Sequence, residues 1–178
     1  MDFSYLEAMP VWQGLLVALA IVAAMELTAY ATHRWIMHGA LGWDWHESHH
    51  QERHGAFEKN DLYAVVFAGL AISLFGLATY LGVALIFWIA LGITLYGLLY
   101  FLAHDGLVHN RLPFRIVPKG GYLQRLYQAH RLHHAVEGRE GCVSFGFLYA
   151  PPVRELKAQL REGGAKPGPV GEAEVVRG

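Results

Sequence analysis

Three imidazoles fall within five positions at His46-Glu47-Ser48-His49-His50, and the same HxxHH spacing returns as His130-Arg131-Leu132-His133-His134. A second spacing, HxxxxH, also occurs twice, as His33 to His38 and as His104 to His109. Ten of the eleven histidines thus fall into two matched pairs of clusters, and only His54 stands outside, where it reads as an ordinary hydrogen-bonding residue. On a helix the HxxHH members occupy i, i+3 and i+4 and share one face. Adjacent His49 and His50 diverge by about 100° around the axis, so they could serve two different ions. The HxxxxH pair lies about 140° apart on an ideal helix, so one ligand sits past the helix end or a π-bulge brings both to one side. Imidazole suits iron, zinc, copper and nickel. One ion takes about four to six donors, so eight to ten imidazoles imply two ions and a dinuclear site.

The elements that must position these clusters are membrane spans. The chain has 178 residues, 54% of them apolar, a mean hydropathy of +0.26 and a formal charge of -1 at pI 6.8, which gives no footing for a nucleic-acid partner. The first ten residues, with Asp2 and Glu7 and no Lys or Arg, read as a short exposed lead and not as a removable signal peptide. Val11 to Ala31 is predominantly apolar and about 31 Å long as a helix, enough for one crossing. The run from Leu62 to Ala103 is about 63 Å if helical, so it folds into two crossings reversed near Gly82. Three crossings bring all four clusters to one membrane face. All fourteen Lys and Arg residues flank the clusters, which by the positive-inside rule makes that face cytoplasmic and the location the inner membrane. The expected fold class is all-α integral membrane, three crossings, with a fourth left open, under a cytoplasmic histidine-rich cap. Cys142 to Ala150 is too short for a fourth and reads as a re-entrant or packing segment.

Several side chains carry expectations of their own. Asn60-Asp61 should cap the second span. Asp105 and Glu47, inside clusters, are expected to orient a ring N–H, or else to ligate directly. Glu26, within the first span, reads either as a functional carboxylate or as a hydrogen-bonded packing group. Arg111, Arg115 and Lys119 could dock an acidic electron-transfer protein or face anionic lipid headgroups. Gly69, Gly76, Gly92 and Gly97 could open a groove between helices or simply let them pack closely. The lone Cys142 excludes an internal disulfide and a Cys-based metal site, and reads as a small apolar residue. Gly121 to Ala135 reads as the helix of the last cluster. Residues 1–152 form the membrane-embedded domain, and 153–178 a short charged helix, Val153 to Glu162, followed by a disordered tail.

Two function classes fit a two-metal, histidine-lined membrane site: an oxygen-activating hydroxylase or desaturase, and a metal transporter. A transporter places ligands at the bilayer midplane on broken helices, whereas here the clusters lie at the ends of spans that stay apolar through their middles. The enzyme is favoured. Haem would need paired single histidines, and no nucleotide-binding motif is present, so electrons must come from another protein.

The stretches HRWIMHG, WHxSHH with Arg53-His54-Gly55, Phe57-Glu58-Lys59-Asn60-Asp61-Leu62, HDGLVHxR, and GYLxRLYxAHxLHHA with Ser144-Phe145-Gly146-Phe147 together resemble bacterial β-carotene 3-hydroxylases. That family belongs to the membrane fatty-acid and sterol hydroxylase superfamily, and the likeness runs from about Thr32 to Pro152. It implies a non-haem di-iron monooxygenase, with zinc a possible occupant as isolated, that uses O2 and electrons from reduced ferredoxin and its reductase to hydroxylate carotenoid β-ionone rings. It also implies that His33, His38, His46, His49, His50, His104, His109, His130, His133 and His134 are the iron-site residues. A fatty-acyl chain or sterol is the competing substrate.

Overall fold

The apolar runs become helices at the lengths their sequences set. In the computed structural model, which describes residues 3–51, 55–114, 116–136 and 138–163, α1 spans Val11–Ala31, α2 Trp43–His50, α3 Asp61–Leu81, α4 Ala84–Tyr100, α5 Gly121–His133 and α6 Val153–Glu162. No β-strand forms among the described residues. Two of the long helices do not stop where their α-segments end. α1 continues as a π-helix over Thr32–Met37 and α4 as a π-helix over Phe101–Val108. With these extensions three helices are long and apolar enough to cross a membrane: Val11–Met37, Asp61–Leu81 and Ala84–Val108. His54, Arg53, Arg115 and the tail from residue 164 lie outside the described residues.

Small residues decide which helices touch. The buried stripe of α1 is Gly14, Ala18, Met25 and Ala29, and it packs along α4. A Cβ on Gly14 would fall 1.9 Å from Trp88 Cε2, and one on Gly92 would meet Ile21 Cβ at 2.6 Å and the Ala18 carbonyl oxygen at 2.8 Å. The two backbones therefore approach as small-residue helix pairs do in lipid. Gly92 belongs to close packing, whereas a Cβ on Gly69, Gly76 or Gly97 meets nothing within 4 Å. α3 reverses into α4 through Gly82, whose φ of 67° is left-handed, with the Val83 N–H returning to the Ala78 carbonyl at 3.1 Å.

Asn60 occupies the position before α3 but makes no side-chain cap, contrary to the capping expectation. Its side chain turns instead to a histidine, as described below. Asp61 accepts the Glu58 N–H at 2.9 Å and is bound by both terminal nitrogens of Arg111, at 2.6 and 2.7 Å.

Outside the spans, α5 and α6 pair through Leu126, Ala129 and Leu132 on one side and Leu156 and Leu160 on the other. α6 buries only that leucine edge, as an amphipathic helix on a small core should. Between the two helices, residues 142–150 form an irregular segment that buries Val143, Phe147 and Ala150. It packs under the histidines and does not cross.

Candidate metal centre

The two π-helices account for the HxxxxH spacing. In each, the backbone bond runs from i+5 to i: His38 N–H to the His33 carbonyl and His109 N–H to the His104 carbonyl, both at 3.0 Å. A π-turn takes more residues per turn than an α-turn, so i and i+5 return to the same side. α2 supplies His46, His49 and His50, and α5 supplies His130 and His133, with His134 immediately after it. All ten clustered histidines meet in one place, and eight of them form two groups of four whose nitrogens lie within 4.8 Å of one another. One group is His33, His38, His46 and His133, and the other is His49, His109, His130 and His134. Each HxxxxH pair leans to one group, since His104 Nε2 lies 2.9 Å from His49 Nε2. His50 bridges the groups: its Nε2 is 3.2 Å from His46 Nε2, and its ring lies 4.5 Å from that of His134. Adjacent His133 and His134 face different groups, and so do His46 and His49.

What the opposite edges of the rings do decides the chemistry. His33, His38 and His133 each donate Nδ1–H to a backbone carbonyl, of Phe145 at 3.0 Å, Arg139 at 2.9 Å and Val143 at 2.9 Å. His46 donates to Asn60 Oδ1 at 2.8 Å, His49 to Glu58 Oε2 at 2.9 Å and His104 to Asp105 Oδ1 at 2.8 Å. A neutral imidazole with its proton on Nδ1 keeps a lone pair on Nε2. Those lone pairs face one another: His33 to His46 at 3.1 Å, His38 to His133 at 3.2 Å and His49 to His104 at 2.9 Å. No proton is left to bridge them. Two acceptors this close are stabilised only by a cation between them, so the donor set fits metal ions.

Burial keeps the rings neutral. It pushes His46 down to about 3 against the help of Asn60, with His38 and His109 adding repulsion. It pushes His50 down to about 2, with His46 and His38 adding to the effect. His49, His130, His133 and His134 are driven well below the ordinary imidazole value, by burial first and by neighbouring imidazoles second. Neutral imidazole is the form that ligates a metal. Cys142 Sγ also lies near His38, His50 and His133, but burial raises its thiol to about 12 and Sγ–H faces the Gly138 carbonyl at 3.6 Å. Half-buried beside these three imidazoles, it would become a sulfur ligand only if a bound metal ion took its proton.

The groups that orient the rings differ from those expected. Asp105 Oδ1 accepts the Nδ1–H of the neighbouring His104 at 2.8 Å. Glu47 does not take the role assigned to it: it is exposed on the outer face of α2, because i+1 from His46 points away from the face the histidines share. The carboxylate on His49 is Glu58, from the loop before α3. Arg111 is not free to dock a partner, since it pairs with Asp61 and lies 3.6 Å from Asp105. Its hydrogen bonds to Asp61 raise it above the ordinary guanidinium value. Lys119 remains exposed.

Glu26 proves to be a hydrogen-bonding group. It accepts the backbone N–H of Phe147 at 3.0 Å, Leu148 at 3.1 Å and Tyr149 at 2.9 Å, and the hydroxyl of Tyr96 at 2.8 Å.

An apolar cavity of about 500 Å³ lies between α1, α3 and α4. Met25, Ala71, Phe75, Ile93 and Gly97 line its length, and Tyr100, Asp105 and Phe147 its end. Of the four glycines considered from sequence, Gly97 alone lines it. Its end abuts the histidines: Tyr100 stacks on His104 at 4.7 Å and Phe147 on His33 at 4.9 Å. Sequence reasoning missed Tyr96 and Tyr100, and it saw Phe147, Asn60 and Glu58 without their role. Polar residues just ahead of an apolar run were the one available signal for the latter two.

A family model described as fatty acid hydroxylase matches residues 18–150. A β-carotene hydroxylase of Paracoccus sp. (strain PC1) is 64% identical over 149 residues, covering 84% of this chain and 91% of the relative. A β-carotene hydroxylase of Pantoea ananas is 57% identical over 165 residues, covering 92% and 93%. A chloroplastic β-carotene 3-hydroxylase of Arabidopsis thaliana is 44% identical over 143 residues, covering 78% of this chain and 45% of the relative. No solved structure matches the chain.

Proposed function

Because the chain belongs to the fatty acid hydroxylase family and, within it, to the β-carotene hydroxylases, we propose that it hydroxylates carbon 3 of carotenoid β-ionone rings. The product sequence is β-carotene to β-cryptoxanthin to zeaxanthin. The reaction class is monooxygenation: one atom of O2 enters a C–H bond, the other leaves as water, and two electrons and two protons are consumed. With iron bound, the centre would supply the O2 activation that attack on an unactivated methylene requires. The two ions would be held by His33, His38, His46, His50 and His133 on one side and by His49, His104, His109, His130 and His134 on the other. Electrons would come from reduced ferredoxin and its reductase.

The observation that carries this reading is the position of the cavity. It opens among apolar helices, where a carotenoid dissolves, and ends at Tyr100 and Phe147, whose rings lie against His104 and His33. An apolar ring can enter without leaving a low-dielectric setting, and the surrounding side chains exclude water. Glu58, Asp105, Asn60 and the three carbonyls hold the imidazoles in one tautomer and orientation. The one-sided Lys and Arg distribution supports the inner membrane with the histidines cytoplasmic.

Reconstituted protein with iron, O2, ferredoxin and its reductase should convert β-carotene to zeaxanthin. β-Carotene left untouched while a fatty acyl chain or sterol is hydroxylated would overturn the substrate assignment and leave the reaction class standing.

A further inference from the structure

We infer that Glu26 is a positioning residue for the histidine centre, acting from inside the first membrane span through the backbone of residues 143–149 on the group that contains His33 and His133. The inference rests on the reading that these histidines hold metal.

A carboxylate at this depth is costly to place, and the structure shows what it is matched with. Three consecutive backbone N–H groups, of Phe147, Leu148 and Tyr149, converge on it at 2.9–3.1 Å, and the Tyr96 hydroxyl completes the set at 2.8 Å. All four are donors, and a carboxylate is the side chain able to accept them together. Three successive amides reach one acceptor only if the chain curls around it. Gly146 makes room for the curl: a Cβ there would lie 2.8 Å from Glu26 Oε1 and 2.6 Å from the Tyr149 carbonyl oxygen.

The same curl presents its carbonyls upward. Phe145, two residues before the first anchored amide, accepts His33 Nδ1–H, and Val143 accepts His133 Nδ1–H. The Phe147 ring stacks on His33 at 14° between planes and also lines the cavity end. Glu26 thus fixes, through one stretch of backbone, the tautomer and tilt of two imidazoles in one group. The other group is oriented separately, His49 by Glu58 and His104 by Asp105. A merely structural carboxylate would disturb both groups alike. A positioning residue disturbs one.

The test uses the full chain, purified in detergent and titrated with Fe(II) without O2, with iron per chain and binding affinity as readouts that need no turnover. The parent should hold two ions. Glu26→Ala should keep one at parental affinity and bind the other about 10–100-fold more weakly, the usual cost of losing a ligand-orienting partner. Glu26→Gln keeps an oxygen facing the three amides and should lose less than about tenfold. Gly146→Ala, which pushes the segment off an intact carboxylate, should reproduce Glu26→Ala. The inference is overturned if Glu26→Ala and Gly146→Ala both bind two ions as the parent does, or if both sites weaken in parallel. Should Glu26→Ala fail to insert, Gly146→Ala decides by the same two criteria. A parent that holds two ions but leaves carotenoids untouched removes the proposed function and not this inference. A parent that holds none removes the metal reading and this inference with it.

Discussion

His38 and His133, ninety-five positions apart, place Nε2 against Nε2 at 3.2 Å while each donates its Nδ1–H to a backbone carbonyl. Neither nitrogen at the contact carries a proton, so the pair is repulsive without a cation. Metal removal should therefore cost stability as well as activity. A ligand present at 100 times its Kd adds about 2.7 kcal/mol per site to the folded state. Chelator-stripped protein is expected to melt several degrees below the iron-loaded protein and to recover on adding Fe(II). Identical melting of the two forms would contradict the lone-pair argument.

Single ligand replacements should divide by group. His133→Ala removes a member of the first group and leaves the second complete, so iron per chain should fall by about half while O2-dependent hydroxylation is lost. His134→Ala should do the same from the other side. Unchanged metal content in both variants would break the two-group assignment. Protein levels in the membrane serve as the control for folding.

Much of this centre was legible in sequence, and the reason is periodicity. HxxHH on a helix has one geometric meaning, and HxxxxH admitted a π-turn that both Thr32–Met37 and Phe101–Val108 adopt. The three spans were legible because lipid leaves a backbone few options. The carbonyls of Phe145, Arg139 and Val143 were not, since every residue owns a carbonyl and only the folded path of 138–150 aims these three. Arg111 misled because a cation beside a membrane looks alike whether it meets lipid, a partner or Asp61. Glu47 misled because a neighbour in sequence is not a neighbour in space: at i+1 from His46 on a helix it stands off the face that the imidazoles share.

Arg111 should behave as a structural cation. It forms two hydrogen bonds to Asp61 at 2.6 and 2.7 Å and one to the Ala56 carbonyl at 2.8 Å. Arg111→Ala leaves Asp61 and Asp105 uncompensated in a partly buried site. The loss of stability should approach, without reaching, the about 3–5 kcal/mol of a fully buried broken pair. Arg111→Lys should recover only part, because an ammonium cannot span both oxygens as the guanidinium fork does. Thermal melting in detergent measures both. A parental melting temperature for Arg111→Ala would show that the pair contributes nothing.

Two glycines in the spans should respond oppositely to the same change. Gly92→Ala drives a methyl into Ile21 Cβ at 2.6 Å and the Ala18 carbonyl at 2.8 Å, both on the tightly packed α1. Overpacking of this kind costs about 1–3 kcal/mol. Gly69→Ala meets nothing within 4 Å and should be neutral or slightly stabilising, since alanine is the better helix former by about 1 kcal/mol. Equal melting temperatures for the two variants would refute the α1–α4 contact.

Ala71 tests the cavity itself. It is buried on α3, lines the cavity and belongs to the cluster with Met25, Ile93, Tyr96 and Phe147. It is neither one of the imidazoles nor one of the groups that hydrogen-bond to them. Ala71→Phe should fill that volume from the side. If the cavity receives substrate, kcat/KM for β-carotene should fall by at least about tenfold, equivalent to about 1.4 kcal/mol of lost transition-state stabilisation. Iron content should stay at the parental value, because the imidazoles and their orienting partners are untouched. Ala71→Ser, close to the parent in size, should retain most activity, which separates filling the cavity from disturbing the helix. Full turnover by Ala71→Phe would mean that the carotenoid reaches the histidines by another route, and the cavity would lose its assigned role.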